Sequence, residues 1–340
     1  MLEKQCFIPA PEEFIAESPM TAAMQELKKT RDKEIRDVIA GRSDKFLVVI
    51  GPCSAHAYAP TLEYLSRLGK LNEQVKDKLL IVPRIYSNKP RTKGVGYQGM
   101  FLQPNPDGAA DIITGIRTIR ALHLAAMNET GLTAADEMLY PENVAYVEDL
   151  LSYHTVGARS VENPLHRQVA SGMDVPVGMK NPMSGNISSL MNSIFAAQNP
   201  QTFKYRNYQV SSGGNPYAHA ILRGGVDATG VDVPNYHYDA VMKAAELYSE
   251  CALQNPAIVI DCNHSNSAKQ CRQQMAIAQE VAQNRRADKD FKGIVKGIMV
   301  ESFLEEGNQA RDEVFGKSIT DPCLGWADTE RLLLQLAEQV

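Results

Sequence analysis

Eight short apolar runs recur along the chain, and nearly every one stops at a residue that can do chemistry. Phe46–Pro52 runs into Cys53, Leu79–Pro83 into Arg84, Leu132–Asp136 into Glu137 and Thr155–Ala158 into Arg159. Pro176–Met179 leads to Lys180, Ala218–Leu222 to Arg223, Ala257–Asn263 to His264 and Ile298–Val300 to Glu301. Helix-length segments alternate with them: Pro60–Asn72, Ile112–Met127, Pro141–Tyr153, Ile187–Gln198, Tyr238–Gln254, Ala268–Ala282 and Asp328–Gln339. Their apolar positions follow amphipathic spacing, as in Val241, Ala244, Ala245 and Tyr248. Eight strands separated by helices predict an α/β fold of the (β/α)8 TIM-barrel type, which builds its site at the carboxyl ends of the strands. The reactive residues are therefore expected to converge.

The runs occupy residues 46 to 302, leaving 1–45 as an N-terminal helical arm and 46–340 as the barrel domain. Within the arm, Ser18-Pro19 precedes a helical stretch, Met20–Ala40, that stops at Gly41. Lying before the first strand, this helix is expected to pack outside the barrel or on a partner subunit. Three connections exceed the usual length. Ser87–Ala110 and Phe303–Ala327 follow strands two and eight and open on the site face. Asn199–Tyr217 precedes strand six, on the opposite face. There Phe203-Lys204-Tyr205 and Tyr208-Gln209-Val210 flank Arg206-Asn207, the pattern of a β-hairpin insertion suited to subunit contact or regulation.

Composition narrows the classes. With 44% hydrophobic residues and no Pro/Gly/Ser-rich tract or charge block, the chain reads as one globular domain. A net charge of −5 gives no general basic field, so no nucleic-acid partner is expected. No apolar run approaches the roughly 20 residues that span a bilayer. Glu3, Glu12 and Glu13 stand where a signal peptide has basic and apolar blocks, so no membrane partner and a cytoplasmic location are expected. Cysteines 6, 53, 251, 262, 271 and 323 form no CxxC pair and read as reduced.

In a closed barrel, strands seven, eight and one are neighbours, so Cys53, His264 and Glu301 should meet, with Asp321 in reach from the strand-eight loop. Singly, a strand-end cysteine is mostly a buried hydrophobe and Asp-Pro mostly a turn. Together, a thiolate, an imidazole and two carboxylates suit a divalent Mn, Fe, Co or Zn, whereas Mg prefers oxygen ligands alone. The other strand ends carry cations: Arg84, Arg159, Lys180 and Arg223, with Lys89-Pro90-Arg91-Thr92 opening the long strand-two loop. Cations crowded at one mouth repel unless anions join them, so the site should take at least two anionic groups. A metal beside a phosphate-binding wall suits Lewis-acid activation of a carbonyl. Condensation, isomerisation and hydrolysis all remain open on residue chemistry.

The motifs Gly51-Pro52-Cys53-Ser54, Lys89-Pro90-Arg91-Thr92, Gly157-Ala158-Arg159-Ser160 and Ile221-Leu222-Arg223-Gly224-Gly225 occur in this order. His264-Ser265-Asn266-Ser267, Val300-Glu301-Ser302 and Gly316-Lys317-Ser318-Ile319-Thr320-Asp321 follow. From about residue 20 onward the chain resembles the class I 3-deoxy-D-arabino-heptulosonate 7-phosphate (DAHP) synthases. The resemblance implies a metal-dependent, aldol-like condensation of phosphoenolpyruvate with erythrose 4-phosphate, the first step of the shikimate pathway. It puts the metal on Cys53, His264, Glu301 and Asp321. Phosphoenolpyruvate falls on Arg84, Lys89, Arg159, Lys180 and Arg223, and erythrose 4-phosphate on Lys89, Pro90, Arg91 and Thr92. Cys53, Lys89 and His264 are then catalytic, and Glu137 is a candidate for handling the attacking water, with a salt bridge to Arg159 or Lys180 as its alternative. A homodimer or homotetramer is expected.

The chain departs from the enterobacterial pattern in its strand-two loop, in Asn143-Val144-Ala145 where an effector pocket has Thr-Pro-Gln, and in a shorter hairpin. Inhibition by phenylalanine is therefore not expected to carry over. Two rivals remain, a 3-deoxy-octulosonate 8-phosphate synthase using arabinose 5-phosphate and a non-catalytic phosphoenolpyruvate sensor.

Overall fold

The computed structural model describes residues 1–91 and 94–340. Thr92, the last residue of the Lys-Pro-Arg-Thr motif, lies outside the described residues. Eight parallel strands form the frame: β1 (Phe46–Gly51), β2 (Leu79–Pro83), β3 (Ala134–Glu137), β4 (Leu151–Val156), β5 (Val177–Lys180), β6 (Ala218–Leu222), β7 (Ile258–Asp261) and β8 (Val295–Glu301). Their order around the sheet is β2-β1-β8-β7-β6-β5-β4-β3. One bridge, Arg84 to Ala135, joins β2 to β3 and completes the (β/α)8 ring. Both faces of each strand are covered, which is why the runs are continuously apolar rather than alternating. In β1, Phe46, Val48 and Ile50 pack under the outer helices, while Leu47 and Val49 fill the barrel interior.

Helices Tyr58–Val75, Ile112–Thr130, Pro164–Ser171, Ile187–Gln198, Tyr238–Glu250, Gln273–Ala287 and Trp326–Gln339 surround the ring. Local signals set several ends. The Asp111 and Asn186 side chains accept from the Thr114 and Ser189 amides, and Gly131 stops its helix at φ 64°. Two expectations fail between β3 and β5. The helix expected over Pro141–Tyr153 is one turn, Pro141–Val144, and the fourth strand starts at Leu151 instead of Thr155. Val144, Val147 and Leu150 do have helical spacing, but the amides of Val147 and Leu150 bond three residues back, as a chain of turns. The short helix Pro164–Ser171 was not expected, although Asn163 caps it and Pro164 fills its first position.

The arm holds α1 (Pro11–Glu17) and α2 (Ala22–Ile39). Contrary to the outside packing expected, α2 plugs the amino-terminal end of the barrel. Its Ile35, Val38 and Ile39 belong to the same cluster as Leu47, Leu80, Val259 and Met299, and Arg31 donates to the Ile81 carbonyl. Buried Arg120 anchors the turn between the two helices. It donates to the Ser18 carbonyl at 3.0 Å, the Tyr146 carbonyl at 2.8 Å and both Asp149 oxygens at 2.7 and 2.9 Å. The predicted hairpin is present as Gln201–Tyr205 and Tyr208–Ser212, turning at Arg206 with φ 53°. Arg206 pairs with Glu12 at 3.2 Å, and the Tyr205 hydroxyl donates to the Pro141 carbonyl at 2.8 Å. A cavity of about 570 Å³ lies among Lys28 and Asp32 of α2, Glu148, Asp149 and the hairpin's Phe203 and Tyr205. Among the described residues no helix is long and apolar enough to cross a membrane.

Candidate active site

The strand ends converge as the barrel requires. A cavity of about 500 Å³ is lined by Lys89, Pro90, Arg91, Glu137, Arg159, Lys180, Arg223, His264 and Asp321. Cys53, Arg84 and Glu301 sit behind this lining, each at most 1% exposed. The register of β1 against β8 places Gly51 opposite Glu301, so a residue just beyond either strand reaches the same point. Asp321 arrives from far along the chain because its loop is pinned there. The Cys53 amide donates to Cys323 Sγ at 3.4 Å, and Ser54 Oγ lies 3.1 Å from Thr320 Oγ1.

Ligand atoms of Cys53, Glu301 and Asp321 all lie within 4.8 Å of one another. His264 stands at the edge of this cluster, its Nε2 4.0 Å from Glu301 Oε1. Its Nδ1 is 2.9 Å from Asp261 Oδ2, which leaves Nε2 as the nitrogen facing the carboxylates. One soft sulfur, one imidazole nitrogen and two carboxylates in this small volume fit a first-row divalent ion.

Cations hold the acidic cluster together. Arg84 Nη2 is 3.1 Å from Glu301 Oε1, and its guanidinium lies 3.8 Å over the Tyr86 ring. Lys89 Nζ donates to Cys53 Sγ at 3.1 Å and to the Cys53 carbonyl at 2.7 Å. Lys269 Nζ pairs with Asp321 at 2.9 Å, and Asn263 donates to Glu301 Oε2 at 2.7 Å. The titration behaviour follows these contacts. Burial pushes the Cys53 thiol up and Glu301 pushes it further, with Lys89 opposing. Burial works against the Glu301 carboxylate, yet Arg84, His264 and Lys89 outweigh it and hold its pKa below the ordinary value. Burial likewise opposes charge on Lys89, but Cys53, Glu301 and Glu137 raise it.

The remaining predicted residues differ in how they are held. Lys180 pairs with buried Asp261 at 2.9 Å, and Arg223 Nη1 reaches Ser265 Oγ at 3.3 Å. Arg91 Nε is bound to the Tyr97 carbonyl at 2.7 Å, within its own loop. Among the described residues Glu137 makes no ion pair, so the salt bridge to Arg159 or Lys180 is not formed. Its carboxylate instead lies over Gly157, where a Cβ would come within 2.2 Å of Oε1. Among the described residues Arg84 Nε and Nη1 are buried without a hydrogen-bond partner, donors that an anion in the site would satisfy.

Three polar residues escaped the sequence reading. Asp261 was absorbed into an apolar run, although an acid at the end of a buried strand is itself a signal. Lys269 lies just beyond the His264–Ser267 motif, in a left-handed backbone at φ 59° that the sequence does not announce. Asp136, raised by burial to about 7, accepts from the Ser87 amide at 2.9 Å and from its hydroxyl, and so braces the start of the Lys89 loop.

Comparison with known proteins agrees over nearly the whole chain. The model of the DAHP synthetase I family matches residues 20–334. The Trp-sensitive phospho-2-dehydro-3-deoxyheptonate aldolase of Enterobacter agglomerans is 41% identical over 341 residues, covering 97% of this chain and 94% of that protein. The Phe-sensitive enzyme of Escherichia coli K12 is also 41% identical, covering 91% of this chain and 87% of its own. A solved phospho-2-dehydro-3-deoxyheptonate aldolase from Francisella tularensis superimposes with a TM-score of 0.93 at 30% identity, covering 100% of this chain and 98% of that one.

Proposed function

The chain belongs to the DAHP synthetase I family and is a DAHP synthase, acting at the first step of aromatic amino acid biosynthesis; we propose that it joins phosphoenolpyruvate to erythrose 4-phosphate with a divalent metal held by Cys53, His264, Glu301 and Asp321. The observation that carries this reading is the Cys53–Glu301–Asp321 cluster, within 4.8 Å, at the wall of a cavity lined by cations. An ion of the Mn, Fe, Co or Zn type supplies Lewis-acid polarisation of the aldehyde when bound.

The protein's own groups do the rest. Lys89, Arg159, Lys180 and Arg223 bind the carboxylate and phosphate of phosphoenolpyruvate, and Arg84 presents its two unpartnered nitrogens from behind. Arg91, with Pro90 and Thr92, takes the phosphate of erythrose 4-phosphate. So oriented, the enol carbon bonds to the aldehyde carbon and water adds at the neighbouring carbon; one proton of the water ends on the former aldehyde oxygen as the new hydroxyl, and the other leaves with the phosphate as its C–O bond breaks and the ketone forms. Glu137, which lines the cavity and makes no ion pair among the described residues, takes a proton from that water. Lys89 Nζ, at 3.1 Å, stabilises negative charge on Cys53 Sγ.

The test is phosphate release from phosphoenolpyruvate that depends on erythrose 4-phosphate, measured before and after chelation and with arabinose 5-phosphate as the competing aldehyde. Chelation should abolish turnover and Mn, Co or Fe should restore it, while Cys53→Ser should lose both metal affinity and turnover. Full activity of metal-free enzyme would refute the metal assignment, and preference for arabinose 5-phosphate would refute the four-carbon substrate.

A further inference from the structure

We propose that Asp261 is a positioning residue that fixes the ring of His264 with its proton on Nδ1, so that Nε2 is free to bind a metal, and that it ties this ligand to Lys180. The proposal rests on the metal reading above and extends it to a residue with no role in that reading.

Asp261 ends β7 and is fully buried. Its Oδ2 lies 2.9 Å from His264 Nδ1 and 2.9 Å from Lys180 Nζ, and its Oδ1 accepts from the Asn263 amide at 3.0 Å. Salt-bridged to the Lys180 ammonium through Oδ2 and accepting from the Asn263 amide through Oδ1, the carboxylate already faces donors on both oxygens. An ionised carboxylate only accepts hydrogen bonds. The imidazole nitrogen facing it must therefore be the protonated one. The His264 Nδ1 contact is short but off the hydrogen-bond line, and among the described residues Nδ1 has no other partner, so Asp261 is the acceptor available to it. This leaves the Nε2 lone pair turned toward Glu301 Oε1, 4.0 Å away.

Two further observations show that the arrangement is built rather than incidental. His264 has φ +53°, a left-handed conformation disfavoured for a residue with a Cβ, so its backbone is held by its surroundings. Asn266 Nδ2 donates to the Asp261 carbonyl at 2.8 Å and to the Leu222 carbonyl at 3.1 Å, locking the turn after β7 to β6. One carboxylate oxygen thus joins the metal side of the cavity, through His264, to the anion-binding side, through Lys180.

The decisive variant is Asp261→Asn, which keeps the size but offers an amide that can donate to Nδ1 and favour the opposite tautomer. Metal-free wild-type and variant are titrated with Mn2+ alone, and the visible spectrum of each Co2+ form is recorded. Loss of an outer partner of a metal-binding histidine typically weakens affinity about 10- to 100-fold. That loss is expected here, together with a changed Co2+ spectrum and an unchanged far-UV circular dichroism spectrum. A folded variant with wild-type Mn2+ affinity and Co2+ spectrum overturns the proposal. Should the variant fail to fold, NMR of histidine-labelled, metal-free wild-type enzyme decides, with the His264 signal identified by its absence in His264→Gln. A neutral ring with its proton on Nδ1 supports the role of Asp261, and a proton on Nε2 alone refutes it. Wild-type protein that takes up neither Mn2+ nor Co2+ refutes instead the metal reading on which the role depends.

Discussion

Replacing Arg84 by methionine removes the cation that balances Glu301 inside the protein. Both side chains are 1% exposed and meet at 3.1 Å, so water cannot take over when the guanidinium goes. Removing one partner of a buried pair typically costs about 3–5 kcal/mol. Two local effects modify that figure. The guanidinium also lies 3.8 Å over the Tyr86 ring, and losing a desolvated contact of this kind adds about 2 kcal/mol. Against this, Arg84 Nε and Nη1 already lack partners, a desolvation cost of about 1–3 kcal/mol each that methionine relieves. Glu301 also keeps Asn263 at 2.7 Å. The net expectation for Arg84→Met is a loss centred on about 2 kcal/mol in the metal-free protein. Urea unfolding of both proteins measures it. Repeating the titration with Mn2+ at about 100 times its dissociation constant should stabilise wild-type by about 2.7 kcal/mol. The variant should gain more, because the metal replaces the missing counter-charge. A metal-free variant within about 0.5 kcal/mol of wild-type would show that Glu301 does not depend on Arg84.

Arg159→Ala should raise the Michaelis constant for phosphoenolpyruvate and Arg91→Ala that for erythrose 4-phosphate, each by about one to two powers of ten from one lost charge-assisted contact. A rise confined to phosphoenolpyruvate in Arg91→Ala would refute this division. Burial holds His123 and His154 at about 3 and His219 at about 4, below the ordinary 6.5, so the unfolded chain binds their protons first and stability falls as pH drops below 6.5. At pH 5 each of the three histidines costs about 2 kcal/mol, while Asp136, raised to about 7 by burial, offsets about 2.5 kcal/mol of that total; a net loss of about 3.5 kcal/mol should appear in urea unfolding, and equal stability at pH 5 and 7.5 would refute it. Phenylalanine should inhibit weakly or not at all, since the buried Val144 and Ala145 offer no polar side chain to an amino-acid ligand and the hairpin is shorter; strong inhibition at micromolar phenylalanine in an initial-rate titration would overturn this.

Where the sequence reading worked, a strong local signal and the closed ring pointed the same way. Apolar runs as pure as Phe46–Ile50 or Leu79–Val82 admit one reading, and ring closure then brings Cys53 and Glu301 together without any knowledge of packing. Strand β4 was misplaced because Leu-Leu-Ser-Tyr-His-Thr-Val mixes polar residues into a buried strand. Its Ser152 and His154 are nonetheless buried, and the preceding turns mimic helical spacing. The plug formed by α2 was illegible for a different reason. An amphipathic period tells which face is buried, and nothing about what buries it. Asp261 and Lys269 were missed because their importance lies in contacts across the barrel mouth, which only the folded chain supplies.

The joint between β2 and β3 has a mechanical consequence. Elsewhere in the ring adjacent strands are stitched by ladders, whereas here a single bridge, with Ile85 N donating to Ala135 O at 2.9 Å, and the bonds from Ser87 to Asp136 carry the join. A circular spring with one thin segment deforms there first. The thin segment carries Arg84 on one lip and, two residues beyond Ala135, Glu137 on the other, with the start of the Lys89 loop beside it. The ring should therefore yield first at the β2–β3 seam, while the ladders linking β7, β8 and β1 keep the Cys53 sulfur and the Glu301 carboxylate at fixed spacing. Amide hydrogens along this seam should exchange sooner than those of the β1–β8 ladder, dividing one ring into a compliant wall and a stiff one.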